Sequence, residues 1–186
     1  AGGVGVGSSG VGAASAPRAG DPLPPGLRRL SAMRPIADPA GIDKLLDDMV
    51  SQIRRGCRES DKIAFIGIRR RGDVLAARLA KKMNITDVGS IDITLYRDDL
   101  SETGPMARVG KTNIPFAIEG REIILCDDVI MTGRSVLAAI REILDFGRPS
   151  RIHLCVLVER PEREIPLQPE IAGIKLAPGP TDKVDV

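Results

Sequence analysis

The sequence predicts an α/β fold, a doubly wound, mostly parallel sheet flanked by helices, and two observations predict it. Short apolar runs at Lys62–Ile68, Ile123–Cys126 and Ile152–Val158 are each long enough for one buried strand, and they alternate with amphipathic stretches at helical spacing. One of these runs also leads directly into paired acids, a Thr-Gly turn and a new helix: IILCDDVIMTGRS, Ile123–Ser135. That order is expected where a parallel strand delivers ligand-binding groups to the carboxyl edge of a sheet.

Residues 1–35 are dense in Gly, Ala, Ser and Pro, with little large apolar content, and read as a disordered tail ahead of a folded domain over 36–186. They lack the apolar core of a secretory signal and are poor in Arg near the start, so a transit peptide has little support. The first helix begins where Asp38 can cap and Pro39 fits the first turn; Ile42, Leu45, Leu46, Met49 and Ile53 form its stripe, and Gly56 closes it. After the strand at Lys62–Ile68, a helix over Asp73–Met83 is expected to bury Val74, Leu75, Leu79 and Met83. Ser90–Tyr96 alternates, with Ile91, Ile93 and Leu95 on one face. The polar stretch from Arg97 to Asn113 has the length of a lid. The helix after the acid pair should face the core with Val136, Leu137, Ile140, Ile143 and Leu144, and Gly147 should cap it.

Composition fits one compact core and excludes several classes. A chain of 186 residues with 42% hydrophobic content is too short for two sizeable domains. Its net charge of +2 is a small surplus among many charges of both signs and demands neither nucleic acid nor an anionic membrane. No apolar run has the length of a membrane span. The three cysteines, Cys57, Cys126 and Cys155, are odd in number and far apart, which suits free thiols in a reducing, cytoplasmic setting better than a metal cluster. No GxxxxGK[ST] loop occurs.

The acid pair carries the first chemistry. With the strand read as ending at Cys126, the Asp127 and Asp128 carboxylates project beyond the sheet edge. Val129, Ile130 and Met131 lead into Thr132, Gly133, Arg134 and Ser135, where Gly133 permits close backbone approach and the helix start offers unpaired N–H groups to a phosphate. Adjacent carboxylates can hold the vicinal hydroxyls of a ribose, directly or through Mg²⁺, with the cup one sugar-length away. The implied ligand is a ribose 5-phosphate; the plain alternative is a helix cap beside an ordinary turn. A second site is GIRRRG, Gly67–Gly72, which also leaves a strand and enters a helix. Its Arg69, Arg70 and Arg71 suit a diphosphate, unless they are only a solvated basic turn.

At these residues a resemblance appears. Ile123–Ser135 resembles the phosphoribosyl pyrophosphate (PRPP) signature of type I phosphoribosyltransferases. GIRRRG, IDITLYRDDL (Ile91–Leu100), GRPS (Gly147–Ser150) and VLVERPEREIP (Val156–Pro166) are similar, in order and spacing, to the PyrR family of pyr operon regulators and uracil phosphoribosyltransferases. The resemblance covers roughly Ile36 to Val184 and implies a small hood and a flexible lid on the sheet. It implies transfer of phosphoribose from PRPP to uracil, giving UMP and diphosphate, with Mg²⁺ as cofactor. Asp127 and Asp128 would orient the ribose. Arg69–Gly72 would form the diphosphate loop, where a non-proline cis peptide is common, and Arg97 would reach the diphosphate as Asp98 and Asp99 begin the lid. Val158, Arg160 and the backbone near Val184 would contact the base or nucleotide, although Arg160 can instead pair with Glu159 or Glu162. A purine phosphoribosyltransferase is the alternative enzyme.

The resemblance also implies assembly as a dimer or larger oligomer and UMP-dependent binding of pyr leader mRNA. Arg54, Arg55, Arg58, Arg78, Lys81 and Lys82 are candidates for an RNA face, or for a simple solvated one. A regulator without significant catalysis is the non-enzymatic alternative. His153, the only histidine, falls in a strand and reads as structural. The chain departs from the family pattern at Pro161 and Glu162, where Gly and His are common and where a carboxylate repels phosphate. It also has Met131 where an aromatic is common, Ser135 in place of Thr, and little sequence after Val184.

Overall fold

The computed structural model describes residues 36–57, 60–93 and 112–177. The expectations for residues 1–35, Arg58, Thr94–Tyr96, Arg97, Asp98, Asp99 and the loop to 111, and Val184 lie outside the described residues.

The elements run α1 (Pro39–Gly56), β1 (Ile63–Ile68), α2 (Gly72–Met83), β2 (Val88–Ile91), β3 (Glu122–Ile130), α3 (Arg134–Phe146), β4 (Arg151–Glu159) and β5 (Ile171–Lys175). The five strands form one sheet in the order β2-β1-β3-β4-β5, every pair parallel. A sheet of parallel strands must be covered on both faces. Here α1 and α2 cover one face, packing Leu46, Met49, Ile53 and Leu79 against Phe65, Ile124 and Cys126. On the other face Val136, Ala139 and Ile143 of α3 pack against Ile66, Ile123 and Leu125. Among the described residues no helix is long and apolar enough to cross a membrane.

The helices start and stop close to the expected places, with Gly147 as the C-cap of α3, but their buried stripes are narrower. Val74 is 59% exposed and Leu144 54% exposed, while Met83, Leu137 and Ile140 are only partly buried. Small residues take the core positions instead: Ala76 and Ala80 in α2, Ala138 and Ala139 in α3. Alanine lets a helix approach the sheet closely, so the larger neighbours on each stripe are turned outward. The strand expected over Ser90–Tyr96 begins earlier, at Val88, and pairs with β1 only to Ile91.

The largest correction concerns β3, which does not end at Cys126. Its pairing with β1 stops at Gly67↔Cys126, but on its other side β4 carries the ladder on through Asp127↔Val156 to Ile130↔Glu159. The acids therefore belong to the strand and overhang only β1. The cause is long-range: β4 supplies partners that the local sequence around the acids does not reveal.

Candidate active site at the carboxyl edge of the sheet

β1 and β3 are neighbours, yet the chain continues from β1 to β2 on one side and from β3 to β4 on the other. The connections part above their carboxyl ends and leave a crevice, the position where ligands of open α/β sheets bind. The basic turn after β1 and the acid pair of β3 border this crevice.

Asp127 is buried, and the Asp128 side chain retains 20% exposure. The Asp128 amide donates to Asp127 Oδ1 (3.0 Å) and the Val129 amide to Asp128 Oδ1 (2.9 Å), so the backbone itself fixes both carboxylates. Arg71 Nη1 lies 3.8 Å from Asp128 Oδ2, which joins the arginine turn to the acid pair. Gly72 makes this approach possible, because a Cβ there would stand 2.5 Å from the Cys126 carbonyl oxygen and 3.0 Å from Asp127 Cα. The Arg69–Arg70 peptide is cis, as the resemblance implies, and Arg71 has φ 77° at the start of α2. Arg69 turns toward β2, its Nε donating to Ser90 Oγ (3.1 Å), whereas Arg70 and Arg71 are exposed at the edge.

The second half of the crevice is the turn into α3. Gly133 has φ 91°, a conformation costly for other residues, and a Cβ there would press to 3.2 Å from Ile165 Cβ. Gly133 provides no side-chain cap, so the first turn of α3 presents its amides to an anion. The Arg134 amide makes a long 3.4 Å donation to Thr132 Oγ1, and Ser135 adds a half-buried hydroxyl on the same turn. Val129 and Ile130 complete the strand, and Met131 is 43% exposed.

After β4 the chain folds back on this turn. Glu164 and Ile165 amides donate to the Thr132 carbonyl at 3.0 and 2.9 Å, and Arg134 pairs with Glu164 at 2.7 Å. Arg163 ties the layers together, donating from Nη1 to Met131 O (2.6 Å) and Arg160 O (2.5 Å) and from Nε to Leu167 O (3.0 Å). Buried Glu159 accepts from Arg163 and Gln168 through Oε1, with Lys175 Nζ 3.3 Å from Oε2. Arg163, Gln168 and Lys175 are not among the residues the sequence points to for this site; the four-residue spacing of Glu159 and Arg163 is the one local signal. Val158 lies in register with Val129, so the end of β4 flanks the acid pair. Arg160 is buried and makes a two-pronged pair with Glu162, Nε to Oε2 at 3.2 Å and Nη2 to Oε1 at 2.8 Å. Arg160 thus has Glu162 as an ion-pair partner in this structure, which does not decide its base-contacting role. The hydrogen bond from Arg160 holds the Glu162 carboxyl below its ordinary range.

Elsewhere, α1 and α2 pack together and unite part of the expected basic face, but Arg78 is paired with Asp43 at 2.9 Å and Lys82 with Asp47 at 2.7 Å. His153 is fully buried in β4 and lies outside the crevice.

A parallel sheet with an acid pair, an uncapped helix start and an arginine turn at its switch point is the architecture of a nucleotide-type phosphate binder. The phosphoribosyl transferase domain family matches the chain over residues 36–176, and the protein is a phosphoribosyltransferase belonging to that family. Its relatives locate it further, within the bifunctional PyrR group. The chain is 43% identical over 156 residues to a Bifunctional protein PyrR from Elusimicrobium minutum, covering 81% of this chain and 86% of the relative. A Bifunctional protein PyrR from Listeria monocytogenes is 40% identical over 159 residues, 81% of this chain and 87% of that one. Among solved structures, a hypoxanthine-guanine phosphoribosyltransferase from Bacillus anthracis superposes with a TM-score of 0.62 at 19% identity, covering 77% of this chain and 84% of that one. At that identity the likeness speaks for the fold alone.

Proposed function

We propose that the protein transfers phosphoribose from PRPP to N1 of uracil, releasing diphosphate and forming UMP. The observation that carries this reading is the meeting of the Asp127–Asp128 pair, the open start of α3 and the Arg69–Arg71 turn at one crevice, together with PyrR relatives at 40–43% identity. The α3 amides, Thr132 and Ser135 suit the 5′-phosphate; Asp127 and Asp128 suit the ribose hydroxyls; Arg70 and Arg71 suit the diphosphate, with Arg97 joining from the lid.

The C1–O bond to diphosphate breaks as the N1–C1 bond forms, and the N1 proton leaves to solvent. Positive charge gathers on the ribose beside the carboxylates, and negative charge gathers on the leaving group beside the arginines. Groups fixed in advance against such charges lower the barrier most effectively. Holding base and sugar in line adds to this, by about 7 to 11 kcal/mol in well-oriented intramolecular models. The Asp127 and Asp128 donor set is all oxygen, which fits Mg²⁺. When bound, the ion supplies charge that neutralises the diphosphate. Val158, Arg160 and Val184 form the proposed base site, with the Glu162 pair orienting Arg160.

The test is a PRPP-dependent assay in which uracil competes with hypoxanthine and guanine. UMP as the main product supports the reading, nucleotide formed from the purines transfers it to purine salvage, and no diphosphate release with any base rejects both. A second role, UMP-dependent binding of pyr leader RNA, is supported by the bifunctional naming of the relatives. It predicts UMP-enhanced, salt-sensitive RNA binding, and absence of binding at low salt removes it. The paired state of Arg78 and Lys82 leaves fewer cations for that role. We further propose a cytoplasmic homodimer or larger assembly, as the family resemblance implies, checked by light scattering.

A further inference from the structure

At the amino edge of the same sheet, remote from the crevice, three side chains of different chemistry converge. Cys57 follows α1, Glu122 opens β3, and His153 is the third residue of β4. The Cys57 sulfur, a Glu122 carboxylate oxygen and a His153 ring nitrogen all lie within 4.8 Å of one another. His153 Nε2 is 3.3 Å from Glu122 Oε2, while its Nδ1 is 2.8 Å from Glu170 Oε2, just before β5. His153 is fully buried, Glu122 is buried and Cys57 is half-buried.

From this geometry we infer that the protein holds a zinc-class divalent ion between Cys57 Sγ, Glu122 and His153 Nε2, a site separate from the PRPP crevice in which water would complete the tetrahedron.

Ligands held at about 2.0 to 2.3 Å around a tetrahedral ion stand roughly 3.3 to 3.8 Å apart, so the 3.3 Å pair already has the spacing and the thiol needs only a small approach. A sulfur, imidazole and carboxylate set favours zinc over magnesium, which prefers oxygen alone. The Glu170 carboxylate at Nδ1 supplies what metal-bound histidines commonly have, an acceptor that fixes the ring and directs Nε2 at the ion. On binding, the Cys57 thiol would give up its proton to solvent as it became a ligand. The ion would pin the end of α1 to the first turns of β3 and β4. Cys126 and Cys155, buried within the sheet, are not among these ligands.

The test uses the full chain, stripped with chelator, titrated with zinc chloride and dialysed. Expected are about one zinc per chain by elemental analysis, a melting temperature raised by several degrees and reversed by chelator, and a thiolate-to-metal absorption band with cobalt(II). Cys57→Ala, which removes only a half-buried side chain, should fold, lose the cobalt band and lose the zinc-dependent shift. Should the protein retain no zinc, or should Cys57→Ala show the same cobalt band and shift as the parent, the site is refuted.

Discussion

The two ends of β3 differ in nearly every respect although one strand builds both. At its carboxyl end Asp127 and Asp128 overhang β1, offer only oxygen, and meet arginines and open amides. At its amino end Glu122 is enclosed with His153, Glu170 and Cys57 in a mixed sulfur, nitrogen and oxygen cluster. About five residues separate Glu122 from Asp127, roughly 17 Å of extended chain. The difference teaches that position along the strand decides the task of a buried acid. Where β1 stops short, the acids are left open for the ligand role proposed above; where β1, β3 and β4 begin together, the acid is enclosed by the fold.

The sharpest way to break that comparison is Asp127→Asn with Asp128→Asn. Turnover should fall by on the order of 10³-fold or more while the melting temperature stays near the parent's, since removing like charges does not loosen the strand. Unchanged kinetics would falsify the assignment. The converse holds at the other end. His153→Ala should cost about 2 to 4 kcal/mol in denaturant unfolding, through a cavity and the loss of both imidazole contacts, yet leave kcat per folded molecule unaltered. A kcat that fell in step with stability would erase the distinction between the ends.

Gly133→Ala tests the phosphate cup. Forcing a side chain onto φ 91° and toward Ile165 should raise the KM for PRPP about tenfold and destabilise by about 1 to 2 kcal/mol. An unaltered KM would argue that the turn is only a turn.

The smallest effect is expected at Glu162. Replacing it with Gln should raise the KM for uracil a few-fold and leave that for PRPP unmoved. Because Arg160 depresses the Glu162 carboxyl, the stability it contributes is present above the ordinary carboxylate range and is lost as pH falls through the lowered value. Uracil KM should accordingly stay flat from neutrality down to about pH 5 and rise only on further acidification. A break between pH 6 and 8 would show that another group governs the base site.

Local pattern made the central parallel strands, the three helices and the crevice-lining turn legible, because helix stripes, apolar runs and a strand-acid-glycine-helix order are written in contiguous residues; the edge strand β5, short and half-buried, was not. What stayed hidden depends on partners distant in sequence. Nothing near Asp127 says that β4 extends its ladder to Ile130, and nothing near Val74 or Leu144 says that alanines take their place at the sheet. Cys57, Glu122 and His153 span nearly a hundred residues and meet only through the strand order, so their odd, scattered spacing read as unrelated. Arg160 was legible as a residue for the base or for a neighbouring acid, and only the folded chain shows its pair with Glu162.

The glycine that opens α2 carries a further consequence. Since Gly72 rests directly on the main chain of β3, the arginine bend proposed to grip the diphosphate and the carboxylates proposed to hold the ribose are seated on each other as a single block. Retuning donor affinity by shifting one half would drag the other with it. Variation in what this enzyme accepts is thus easier to introduce after β4, where the walls are side chains, than in the donor cradle, where they are backbone.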